Sequence, residues 1–303
     1  MAKNILLIYN PFSGFFIGMN SVEILDYLNS VTADLSGYNL RLLPFSRNKT
    51  DWIKADLKKA TDAVWVIGGD GTITTIADML MTSKIPMGIL PGGTMNLLAR
   101  DLGMNLDLKR AVGQLRHAVP ERIDVATVNG RLFLNICNIG ISTNLTERRE
   151  KLRHYSKWTR WPKLVWYMIN SVFVYPAMTV EFNINGQRYR FRTRSVSVSN
   201  NLLSDNSVVV PKRDRLTSGT MGVYVAKDTS LWSLPRILLK LLVGKWHYDT
   251  DLQNFSSPGF TISRRRRRRM RVMIDGELYR LQKTLRFKIR PGALSILKPG
   301  KPL

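Results

Sequence analysis

At 303 residues and 44% hydrophobic, the chain is long for a single core, and two domains with sizeable interiors are expected. A net charge of +24 excludes a neutral surface and points to an anionic partner, membrane or nucleic acid. The single cysteine, Cys137, excludes an internal disulfide and fits a reducing compartment.

The first part of the chain alternates between short apolar runs and amphipathic stretches. Ile5–Tyr9 reads as a strand, Val22–Leu35 as a helix, Leu40–Pro44 as a strand and Trp52–Ala60 as a helix. Val64–Ile67 follows as a strand. Ile73, Ile76, Ala77 and Leu80 then recur at helical spacing, Met87–Leu90 is another strand, and a helix starts near Met95. Alternation of this kind predicts a parallel sheet covered on both faces, with ligands at the carboxyl ends of its strands. Three strands end in loops of small residues: Asn10-Pro11-Phe12-Ser13-Gly14, Gly68-Gly69-Asp70-Gly71-Thr72 and Pro91-Gly92-Gly93-Thr94-Met95-Asn96. The three are expected to converge on one edge.

The middle loop is the most informative. Glycines let backbone N–H groups approach a polyphosphate, and the helix that begins there favours negative charge. Asp70 sits in that turn, where a carboxylate makes sense if a divalent cation bridges it to phosphate. No Walker glycine-lysine loop occurs anywhere in the chain.

After about Asp124 the pattern changes to alternating strands and turns, which predicts an antiparallel second domain. Candidate strands are Arg131–Ile139, Thr179–Ile184, Tyr189–Ser199, Gly222–Ala226, Arg271–Ile274 and Leu285–Ile289, with helical stretches near 156–174 and 230–243. Asn185-Gly186 is a favoured hairpin turn, and Cys137 lies in a run expected to be buried and inert. Charge divides sharply. Residues 1–125 carry a net +1 and residues 126–303 a net +23. Arg188, Arg190, Arg192 and Arg194 alternate onto one strand face, with Tyr189 and Phe191 on the other. The run Arg264–Arg269 reads either as a solvated segment or as a membrane-docking one. The apolar stretch Leu164–Val180 falls short of a spanning helix, and Ile5–Tyr9 is too short for a signal peptide. The three histidines show no metal-ligand spacing.

In order along the chain, Asn10-Pro11-x-Ser13-Gly14, Gly68-Gly69-Asp70-Gly71-Thr72, Pro91-x-Gly93-Thr94-x-Asn96 and Asp275-Gly276-Glu277 resemble the motifs of the diacylglycerol kinase catalytic-domain family, which groups bacterial lipid kinases with sphingosine kinases. The resemblance covers essentially the whole chain, with Asp124 and Arg215-Leu216-x-x-Gly219 included. It implies an α/β ATP-binding domain at 1–125, a β-sandwich-like lipid-substrate domain at 126–290, and a tail at 291–303 that packs back on the first. By the same resemblance, Asn10, Pro11, Ser13, Gly14, Ser46, Gly68, Gly69, Asp70, Gly71, Thr72, Gly93, Thr94, Asn96 and Glu277 would bind the nucleotide. Asp70 would hold Mg²⁺, with Asp124 helping directly or through water, and Asp275 would take the proton of a lipid hydroxyl. The implied cofactors are ATP and Mg²⁺. The implied partner is a lipid on an anionic membrane, met through the basic second domain.

Three departures thin the family's carboxylates: Thr74 and Thr75 where Asn and Glu are usual, Leu97 where Asp is usual, and Thr217-Ser218-Gly219 where many bacterial members carry Asp-Asp-Gly at a structural Mg²⁺ site. The expected protein is therefore a cytoplasmic lipid kinase at the periphery of the membrane. No nucleic-acid partner is expected, and a homodimer is compatible with the sequence. Two alternatives stay open: a non-catalytic protein that binds ATP and an anionic membrane or nucleic acid, and an enzyme like NAD kinase, which shares the Gly-Gly-Asp-Gly turn.

Overall fold

The computed structural model describes residues 2–46, 50–57, 59, 61–81, 83–140, 177–184, 186–204, 212–227, 252–264 and 269–300. The helical stretches expected near 156–174 and 230–243, Asn185 and residues 265–268 of the arginine run lie outside them. The chain forms two compact units, Met1–Asp124 with Gly292–Leu303, and Val125–Pro291.

The first unit alternates strand and helix: β1 (Lys3–Tyr9), α1 (Ser21–Thr32), β2 (Tyr38–Pro44), α2 (Thr50–Leu57), β3 (Ala63–Gly68), α3 (Asp70–Leu80), β4 (Met87–Pro91), α4 (Leu97–Asp101) and α5 (Leu108–Arg116). Its strands pair in parallel in the order β2-β1-β3-β4, and the end of β15 (Thr284–Lys298) adds beside β4 with Ile296 opposite Met87. Every residue of β3 is buried, which is why it reads as an unbroken apolar run rather than an alternating one. A capping box starts α1. Asn20 Oδ1 accepts the N–H groups of Val22 and Glu23, and Glu23 Oε2 accepts that of Asn20 at 2.8 Å. Helix α5 was not anticipated. Asp107 caps it through the Arg110 N–H, and Leu108, Ala111, Val112 and Leu115 form its buried stripe.

The second unit is antiparallel. It holds the end of β5 (Val119–Val128), then β6 (Arg131–Phe133), β7 (Ile136–Gly140), β8 (Met178–Ile184), β9 (Gln187–Ser199), β10 (Met221–Lys227), β11 (Leu252–Ser257), β12 (Gly259–Ser263), β13 (Arg269–Ile274), β14 (Glu277–Gln282) and the start of β15. The order is β14-β13-β7-β9-β8-β12-β15, and β10 joins β9 to β11. Inward positions build one core, in which Val180, Val196, Val198, Val223, Ile262, Val272 and Leu285 are fully buried. The Phe260 and Phe287 rings stack there at 4.8 Å.

The strand expected at Arg131–Ile139 is two strands. It breaks at Leu134 and Asn135, whose N–H groups leave the ladder to meet the Asp275 carboxylate. Where the chain leaves the first unit and where it returns, the two ends are tied together. The Gly292 N–H donates to Asp124 Oδ1 at 2.9 Å, and Arg122 donates to the Gly292 carbonyl at 2.9 Å.

Candidate active site

In the first unit the three small-residue loops interlock. Asn10 continues β1 by donating its N–H to Ile67 O, and its side-chain Nδ2 donates to Thr72 Oγ1 at 2.8 Å. The Phe15 N–H donates to Gly92 O, and the Gly92 N–H to Gly68 O. The Asn96 side chain closes the third loop on itself through Gly93 N–H and Gly93 O, with its own backbone at φ 50°. Asp70 is the first helical residue of α3, and its Oδ1 accepts the N–H of Leu97, which opens α4. Second and third loops are thus joined by a carboxylate.

Glycine is required at these contacts because backbone meets backbone. A Cβ at Gly92 would lie 2.6 Å from the Gly68 nitrogen, and one at Gly93 would lie 2.6 Å from the Gly69 Cα. A Cβ on Gly14 would come to 3.3 Å from Thr94 Oγ1, so the first and third loops touch as well. Within this cradle the Ser13 hydroxyl is buried and has no hydrogen-bond partner among the described residues. A buried, unsatisfied hydroxyl costs about 1–3 kcal/mol unless something fills its hydrogen bond. The helix N-terminus of α3, lined by glycines, is itself a place where a phosphate fits.

The structure therefore brings together Asn10, Pro11, Ser13, Gly14, Gly68, Gly69, Asp70, Gly71, Thr72, Gly93, Thr94 and Asn96. Ser46 lies two residues past β2, next to Phe45, whose N–H donates to Tyr9 O at the same edge of the sheet. Asp124 is buried, and its Oδ1 holds the Gly292 N–H. Among the described residues no three His, Cys, Asp or Glu side chains gather to hold a metal ion. Mg²⁺ bound with a nucleotide needs only one or two carboxylates besides phosphates and water, so Asp70 fits that demand.

The departures from the family pattern have local accounts. Leu97 serves Asp70 through its backbone, so its side chain is not needed there. Thr75 donates its hydroxyl back to Gly71 O within α3. The Ser218 N–H and hydroxyl both donate to Asn201 Oδ1, where the family's second carboxylate pair would stand.

In the second unit Asp275 and Gly276 form the two-residue turn of the β13–β14 hairpin, with φ of 45° and 89° and Ile274 opposite Glu277. The Asp275 carboxylate accepts three main-chain N–H groups, from Leu134 at 2.7 Å, Asn135 at 2.9 Å and Ile136 at 3.0 Å. Glu277 accepts the Tyr279 hydroxyl at 2.8 Å. On the neighbouring strand, burial pushes the Cys137 thiol well above its ordinary range, and the Asp275 charge adds to the effect.

Sequence reading missed what stands behind that carboxylate. Arg213 is buried and donates to the carbonyls of Leu134 and Asn200, the latter at 2.9 Å, and to Asn135 Oδ1 at 2.9 Å. Asn200 adds bonds to Leu134 O and Asn135 O. The peptide that faces Asp275 is thus gripped from its other side. In a chain this rich in arginine, no local signal marks Arg213 as the buried one.

A model of the diacylglycerol kinase catalytic domain matches residues 4–128, and one of the YegS C-terminal NAD kinase beta sandwich-like domain matches residues 136–298. The chain belongs to the diacylglycerol kinase catalytic-domain family. Proteins named "Putative lipid kinase" from Staphylococcus epidermidis and Staphylococcus aureus are each 26% identical. These alignments cover 96% of this chain and 95% and 96% of theirs. A crystal structure of "a putative diacylglycerol kinase" from Bacillus anthracis shares the fold, with a TM-score of 0.72 at 21% identity over 98% of this chain and 97% of that one. Among the described residues no helix is long and apolar enough to cross a membrane.

Proposed function

We propose that this family member transfers the γ-phosphoryl group of ATP to the hydroxyl of a diacylglycerol-like lipid at a membrane surface. The observation that carries the reading is the interlocked glycine cradle at the start of α3, with Asp70 set into it. A lipid acceptor accords with the staphylococcal relatives named "Putative lipid kinase". In this reading the cradle residues orient the triphosphate, with Asp70 at the metal. A bound Mg²⁺ would neutralise phosphate charge as the transfer proceeds. Asp275 accepts the proton of the lipid hydroxyl, whose oxygen bonds to the γ-phosphorus while the bond to the ADP oxygen breaks. The three N–H groups on Asp275 fix the carboxylate's orientation for that step.

The test is transfer of label from γ-labelled ATP, with Mg²⁺, into mixed micelles of diacylglycerol, phosphatidylglycerol or sphingosine. A labelled lipid that disappears with Asp275→Asn, while nucleotide still binds, is the expected result. Asn also adopts positive φ, but its Nδ2 cannot accept the Leu134 N–H, so the variant's unfolding midpoint is measured beside its transfer. Nucleotide binding without any labelled lipid refutes the acceptor, and near-normal transfer by the variant removes Asp275 from the proton-accepting role.

A further inference from the structure

The outer face of the second unit's sheet carries a charge pattern that the reaction does not use. On β9, Arg188, Arg190 and Arg192 point to solvent, while Tyr189 and Phe191 turn inward and pack with Phe182 and Phe255. The register then fixes what lies beside them. Asn183, Glu181 and Thr179 of β8 stand opposite the three arginines; Thr261 and Ser263 of β12 stand opposite Asn183 and Glu181. On the far side of β12, Arg286 is opposite Thr261 and Lys288 opposite Gly259, and Arg290 continues the exposed alternation along β15. Four adjacent strands therefore present six cations and one carboxylate, Glu181, on a single solvent face. Strands lie about 4.8 Å apart and outward residues about 6.6 Å apart, so the cations spread over a surface roughly 14 Å wide.

We propose that this face is a docking surface for an anionic lipid bilayer. The proposal rests on the lipid-kinase reading for the source of the anion, and it names the surface that meets it. Two observations favour a bilayer over a nucleic acid. The aromatic residues of β9 are turned inward, so the face offers no platform on which bases would stack. Its cations also form a broad array rather than a helix or two-stranded ribbon shaped to enter a groove. The small polar residues between them let headgroup phosphates approach the sheet. With no large apolar side chain among these positions, attachment is electrostatic and therefore salt-sensitive.

The test is sedimentation with vesicles of phosphatidylcholine alone and of equal parts phosphatidylcholine and phosphatidylglycerol. The full chain is expected to bind the second and not the first. Combined Arg188→Gln, Arg190→Gln and Arg192→Gln should weaken that partition on the order of 100-fold, since each arginine near an anionic surface is worth about 1 kcal/mol. Glu181→Gln should strengthen it about fivefold on the same scale. Combined Lys109→Gln, Arg110→Gln and Arg116→Gln, an equal charge change on α5 of the other unit, should leave it unchanged. Undiminished binding by the β9 variant overturns the proposal. So does displacement of the vesicles by a single-stranded oligonucleotide at lower concentration than by soluble phosphatidylglycerol. Transfer to a short-chain soluble acceptor separates the two readings. If it fails in the wild type while arginine-dependent vesicle binding holds, the kinase reading falls and the docking face stands.

Discussion

Asp70 Oδ1 accepts the backbone N–H of Leu97 at 3.0 Å. One carboxylate thereby ties the start of α3 to the start of α4, and it does so at a position where the side chain of residue 97 is immaterial. Asp70 has a structural duty in addition to the one its family motif implies.

Those duties separate in Asp70→Asn. The amide oxygen still accepts from Leu97, so the unfolding midpoint should stay within a degree or two. The charge toward a metal is lost, so nucleotide binding in Mg²⁺ is expected to weaken about 10- to 100-fold, with binding in chelator nearly unchanged. Calorimetric titration with and without Mg²⁺ checks both.

Gly93→Ala would drive a Cβ to 2.6 Å from the Gly69 Cα and 3.1 Å from Asn96 Oδ1. Backbone must move, at a cost of about 1–3 kcal/mol, and nucleotide affinity should fall with it. Gly113→Ala in α5 is the matched control. Its Cβ meets nothing within 4 Å, and relief of a helical glycine should stabilise by about 0.5–1 kcal/mol. Urea unfolding of the two variants should move in opposite directions.

Arg213→Met removes the guanidinium from two buried carbonyls and Asn135, and a loss of about 2–4 kcal/mol is expected. Arg213→Lys keeps the charge but not the fork of donors, and should recover part of the stability. If Arg213 positions Asp275 through the Leu134–Ile136 peptide, the lysine variant should also show a displaced pH profile for transfer, with ATP affinity intact. A normal profile in a folded lysine variant would confine Arg213 to stability.

The Cys137 thiol is buried and shifted upward, so little thiolate exists at pH 8. A thiol reagent should modify the native protein only at the rate of opening, and modify it at once in denaturant. Fast labelling of the folded chain at pH 8 would contradict this environment.

The parallel strands of the first unit were legible because buried strands read as apolar runs, and its loops because glycine clusters mark where they turn. Helix α5 was missed: its stripe is short and its cap, Asp107, looks like any surface acid. The break at Leu134-Asn135 was illegible for another reason. Apolar residues flank it on both sides, and the partner that interrupts the ladder lies 140 residues away at Asp275. Arg213 shares that difficulty, because its burial comes from carbonyls that no sequence pattern reveals. The alternation on β9 was plain in sequence, whereas the arginine and lysine ladder on β15 became its neighbour only through the register of two intervening strands.

The bonds from Gly292 to Asp124 and Arg122 have a consequence for how the gene could be cut. They pin the exit and return of the chain side by side, so the whole of Val125–Pro291 is, in connectivity, one long insertion in a loop of the first unit. Closing a loop that long costs roughly 3 kcal/mol more than closing a turn of a few residues. Joining residue 124 to 292 through a short glycine-serine bridge would remove that entropic burden. The first unit, expressed by itself, then becomes an object whose folding can be weighed without its insert.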